Sequence, residues 1–244
     1  MIALVLVLLA ASLDDHPLTA EQRTRLNDDL DSAIQKWTGR IKEEPKSVES
    51  YSHRGDALFM RGRFADSLAD YEKMVDLDAT LDAGHWRRGI AYFYAGKYEQ
   101  ASHQFEIYHT HDDVDRENGI WRYLSQVKAH GVEKARKGLL KYAKDDREPF
   151  PAVYQLFEGK TTPDKIFEQI RSASVDDEER EKRLFYANLY AGLNLAVENK
   201  PDEAAKVLRG AVANTWAPKG GFGPSFMWHV ARLQYEELRR AKKE

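Results

Sequence analysis

The sequence predicts an all-α fold: a solenoid of antiparallel helical hairpins with irregular middle helices and a C-terminal capping helix. Two observations carry that expectation. The first is an echo after thirty-four residues, in which Gly55 returns as Gly89, Gly62 as Gly96, Phe64 as Tyr98, Ser67 as Ala101 and Tyr71 as Phe105. The second is the spacing inside each copy. Tyr51, Gly55 and Leu58 fall three to four apart and so share one face of a helix. A fixed period with small and aromatic residues at set offsets marks hairpins that cannot bury their apolar faces alone and must stack on neighbours.

Composition sets the outer bounds. The chain has 244 residues, 42% of them hydrophobic and 32% charged, enough for one extended solenoid with a continuous core. A net charge of -3 and a pI near 6.3 offer no basic stripe, so no nucleic-acid partner is expected. Cysteine is absent, which removes disulfides, thiolate metal sites and thiol catalysis together. The first residues, Ile2 to Ala11, are almost purely aliphatic and run into Ala10, Ala11 and Ser12. That pattern predicts a cleaved secretory signal peptide over 1–13, too short to span a bilayer, which takes about 20 apolar residues.

Residues 14–46 read as an N-terminal helix or half repeat. Leu18 to Glu44 is helical in pattern with Thr19 as N-cap, and Ala33, Trp37 and Pro45 precede Ser67, Tyr71 and Ala79 by the same interval. Three repeats follow over 47–148. In the first, Gly55 gives up about 1 kcal/mol of helix propensity against Ala and in exchange admits the partner helix. Gly62 then ends the helix in a left-handed conformation. The second, Asp82 to Asp113, is the cleaner copy. The third keeps Ala135 and Leu139 in the second-helix positions but has Tyr123 where the glycine belongs, so its hairpin is expected to pack differently.

An irregular helical insert is expected over 149–182. Asp145 to Pro151 interrupts the solenoid, a short helix runs through Val153 to Phe157, and Thr162 with Pro163 opens another to about Ser172. The repeat grammar resumes over 183–241 with Gly192, Asn199, Ala204, Leu208 and Ala211, Asn199 standing in for the left-handed glycine. Pro218 to Pro224 reads as a glycine-rich turn, and a helix from Ser225 to about Arg240 as the cap that closes the apolar end.

These offsets are those of the tetratricopeptide repeat. The order of regular and irregular elements adds a narrower likeness: RRGIAYFYAGKYEQA, then WRYL, VYQLFEG and the late FYANLYAGLNLA ending in GAVAN. Over roughly Asp82 to Leu238 the chain resembles the NlpI-type periplasmic TPR lipoproteins. That resemblance implies an envelope adaptor, often homodimeric, that docks peptidoglycan endopeptidases and a carboxyl-terminal processing protease. The family is lipidated on a cysteine, which this sequence lacks, so the expected form is secreted or periplasmic, with neither lipid anchor nor transmembrane span.

In such a fold the first helix of each repeat lines a concave groove. The expected partner-binding residues are therefore Ser52, His53, Asp56 and Phe59 from the first repeat and Trp86, Arg87, Ile90 and Tyr94 from the second. Aromatic and Arg side chains gain most from desolvation at an interface. A carboxylate clamp would need Lys and Asn where Ser52 and Asp56 stand. His103, His109 and His111 beside Asp112 and Asp113 have metal-binding chemistry, but two of them sit at a helix end where they satisfy free carbonyls, so no metal is expected. No nucleophile elbow, phosphate loop or metalloprotease motif is present, and neither catalytic residues nor a cofactor are expected. The partners are other proteins or peptides, with a self-associating module and a cytosolic TPR protein as the rival readings.

Overall fold

The computed structural model describes residues 16–144 and 146–242; the predicted leader lies outside the described residues. These residues form twelve α-helices, joined by turns and two short 3-10 segments, with no strand among them. The first, α1 (Ala20–Glu43), opens on a reciprocal cap. Gln22 N–H donates to Thr19 Oγ1 at 3.1 Å while Thr19 N–H donates to Gln22 Oε1 at 2.8 Å.

Two hairpins follow, α2 (Val48–Met60) with α3 (Phe64–Leu77) and α4 (Trp86–Tyr94) with α5 (Tyr98–His111). Their glycines do what the sequence pattern requires. A Cβ added at Gly55 would lie 2.7 Å from the Tyr71 ring, and one at Gly89 would lie 2.6 Å from Phe105. Each pair is sixteen residues apart, and Gly192 meets Leu208 at the same interval, 2.5 Å away, in the late hairpin of α10 (Asp177–Val197) and α11 (Pro201–Ala213). A polar rung repeats it: Arg54 Nε donates to Asp70 at 2.8 Å, and Arg88 Nε to Gln104 at 2.8 Å. Left-handed turns sit at Gly62 (φ 79°), Gly96 (φ 75°) and Asn199 (φ 59°).

The worn third copy departs from the pattern in two ways. Its first helix, α6 (Arg116–His130), ends at left-handed Gly131, but α7 (Val132–Lys137) is a stub of six residues, so Leu139 lies beyond it. The close-approach glycine has moved by one helical turn. Gly119, not position 123, meets the phenols of Tyr142 and Tyr154, where a Cβ would be 2.7 Å from either oxygen. Tyr123 turns instead onto Phe157 in an edge contact 5.2 Å between centroids.

The insert consists of α8 (Phe150–Phe157) and α9 (Pro163–Ser172), the latter opening on Thr162 and Pro163. The final helix, α12 (Phe222–Ala241), starts three residues earlier than the glycine-rich pattern predicts. Pro224 is absorbed into its first turn, where the missing N–H would have had no helical acceptor. More consequential is its path. Rather than only covering α11, α12 also packs on α2: the Phe226 and Phe59 rings stack at 4.8 Å, and Arg232 donates to the Met60 carbonyl. Both rings are fully buried, each removal from water being worth about 1.5–3 kcal/mol. One apolar core therefore runs from Phe59 to Tyr235.

Candidate functional site

The return of α12 divides the eight predicted groove residues. Phe59 and Ile90 are buried, 0% and 1% exposed: Phe59 lies against Phe226 of α12, and Ile90 lies in the wall of the concave-face cavity. Ser52, Asp56 and Arg87 hold one another: Arg87 Nη1 donates to Ser52 Oγ at 3.0 Å and to Asp56 Oδ1 at 2.6 Å, and the Tyr71 hydroxyl donates to the same carboxylate at 2.6 Å. Burial pushes the Asp56 carboxyl up, and Arg87 and Tyr71 pull it back. His53 faces elsewhere, stacked on Trp37 of α1 at 4.4 Å. Tyr94 packs in a cluster with Phe59, Phe64 and Trp121, and donates to Gln234 of α12 at 3.2 Å. Trp86 and Ile90 are the two of the eight that line the cavity; Trp86, partly accessible, stands edge-on to Phe226 at 5.1 Å.

What remains of the concave face is a cavity of about 440 Å³ enclosed by α4, α5, α6, α10 and the start of α12. Its walls are aromatic: Trp86, Tyr108, Trp121, Tyr186 and Trp216. Next in sequence to the lining residue Gly223 stands Phe222, 54% exposed, the large hydrophobic side chain left open to solvent among the described residues. It lies 6.3 Å from the Trp86 ring, with the Arg87 guanidinium 5.4 Å from its own centroid.

The floor is charged. Asp115 caps α6 by accepting from Glu117 N–H at 3.0 Å, so the first turn of that helix carries two carboxylates into the cavity. Arg147, from the segment before α8, donates to Glu117, pairs with Asp146 at 3.2 Å and approaches Asp115 at 3.7 Å. Its guanidinium lies over the Phe150 ring at 4.4 Å. The Tyr190 hydroxyl donates to the other Glu117 oxygen. Burial first, then the Asp115 charge, push the Glu117 carboxyl up to about 7 against the pull of Arg147 and Tyr190. Asp115 is also raised by burial. Beside them Asn118 is 2% exposed, and its amide nitrogen has no hydrogen-bond partner.

These floor residues escaped the sequence reading. Asp115 and Glu117 open α6, whereas Arg147 and Tyr186 lie far along the chain, and the packing of α10 and of the segment before α8 against α6 brings them together. Phe222 did leave a signal, an aromatic flanked by glycines in a turn. His109 packs edge-on to Tyr142 at 5.2 Å, and His111 lies in the last turn of α5, its ring 3.6 Å from where a Cβ at Gly84 would stand. No helix among the described residues is long and apolar enough to cross a membrane.

Comparison with protein families agrees with the hairpin geometry. Residues 27–82 match the family described as tetratricopeptide repeat, a stretch that runs from within α1 through α2 and α3 to the turn before α4. The chain thus forms an all-α, TPR-type solenoid, and over 27–82 its sequence is similar to the tetratricopeptide repeat family.

Proposed function

We propose that this protein is a noncatalytic interaction scaffold whose concave cavity and aromatic rim receive a segment of a partner protein. The observation that carries the reading is Phe222, held exposed beside Trp86, itself a wall of the aromatic cavity, in a repeat architecture suited to holding peptides. An exposed aromatic on a rigid helix loses little conformational entropy on binding and gains much on desolvation. The likeness to the NlpI-type lipoproteins supports placing this scaffold at the cell envelope, exported by its apolar leader, with peptidoglycan hydrolases or their regulating protease as partners. Sequencing the N-terminus of the mature product tests export. Cleavage near Ser12 is expected, and an intact leader on the mature protein contradicts it.

Binding itself is tested by comparing Phe222→Ser with the parent chain in recovery of partners from an envelope extract. Because Phe222 is exposed, its helicity and melting temperature should be unchanged while recovery falls at least tenfold, the order of loss expected for an interface hot spot of about 1.4 kcal/mol or more. Unchanged recovery would remove the rim from the account. A change in mass by light scattering for the parent chain, abolished by Phe222→Ser, would show that the occupant is a second copy of the chain.

A further inference from the structure

The cavity floor bears an imbalance that its own residues do not settle. Three carboxylates, Asp115, Glu117 and Asp146, surround the single guanidinium of Arg147, and the Asp146 side chain is 6% exposed. Lys182 also lines the cavity, but its ammonium is held by Glu179 at 2.9 Å. A surplus of negative charge in an aromatic-walled, half-enclosed space attracts a cation twice over, through the carboxylates and through the ring faces. Independently, Asn118 presents a buried amide nitrogen without an acceptor in the same wall. A buried donor without an acceptor is destabilising, and a peptide carbonyl entering the cavity would supply what it lacks.

We propose that the cavity reads one basic residue, lysine or arginine, in the partner segment: its charged end goes to Asp115 and Glu117, and a neighbouring backbone carbonyl goes to the Asn118 amide. The aromatic walls take the aliphatic stem, since long basic side chains carry apolar surface up to their charged tip. This inference rests on the scaffold reading above and refines it, giving the site a preference in charge as well as in shape.

Short capped peptides test it, with alanines flanking a central lysine, norleucine or glutamate, titrated against the full chain by calorimetry and by tryptophan fluorescence. The lysine peptide is expected to bind at least tenfold tighter than the norleucine peptide, and the glutamate peptide not at all. Asp115→Asn keeps the helix cap, because asparagine caps as well as aspartate, and Glu117→Gln keeps an acceptor for Tyr190. Both variants should lose several-fold in lysine affinity while leaving the norleucine peptide unaffected. Equal binding of lysine and norleucine, tighter binding of glutamate, or no binding of any peptide at millimolar concentration overturns the inference. If partners are still recovered through Phe222 in that case, the scaffold reading stands without it. If Phe222→Ser also changes nothing, both fall.

Discussion

At the scale of single residues, the informative groups are those whose surroundings oppose their ordinary state. Glu117 is held against Asp115 in a partly dry site, and its carboxyl rises from 4.5 to about 7. The 17% of its side chain that still meets solvent tempers the cost of ionising it. A folded-state pKa above the unfolded one gives stability that is complete below about pH 4.5 and lost as pH rises through about 7. Chemical denaturation of Glu117→Gln against the parent should therefore show the parent losing on the order of 2 kcal/mol more across that window. Equal pH dependence would mean that the carboxyl is solvated. Sequence alone could not identify this residue, because in the chain it is one acid among many at the start of a polar helix. Its environment comes from Tyr190 and Arg147, far along the sequence.

At the scale of elements, the glycine-to-ring contact is the unit that makes each hairpin, and it was readable because it recurs. Gly55 with Tyr71, Gly89 with Phe105 and Gly192 with Leu208 keep one interval in three hairpins. Gly89→Ala is expected to lower stability by about 1–3 kcal/mol, since overpacking against Phe105 exceeds the roughly 1 kcal/mol gained in helix propensity. Thermal melts of Gly89→Ala and of Gly39→Ala, whose added Cβ meets nothing within 4 Å, distinguish the two effects: the first should fall and the second rise. The third hairpin shows where such reading stops. Once Tyr123 displaced the glycine, the period no longer said where the backbone would find its small residue. The answer, Gly119 under Tyr142 and Tyr154, depends on a non-repeating segment folding back over α6.

At the scale of the whole molecule, the solenoid closes on itself. The periodic pattern foretold helices, their turns and a concave side, but not that α12 would occupy much of that side, because Phe226 meeting Phe59 is a contact between chain ends that no local spacing encodes. Closure turns an open groove into a cavity with a rim. It also binds the two ends thermodynamically: Phe226→Ala should cost about 3–5 kcal/mol and unfold α2 and α4 together with α12 in hydrogen-exchange experiments. Loss of protection confined to α12 would mean that the helix is only a terminal cap. The central claim, that partners are received at this rim, is tested most directly by placing a photoreactive phenylalanine analogue at position 222 and, as a control, at exposed Glu203 on α11. Irradiation in an envelope extract followed by mass spectrometry should give partner adducts from position 222 and none from 203; adducts from 203 alone, or equally from both, would contradict the account.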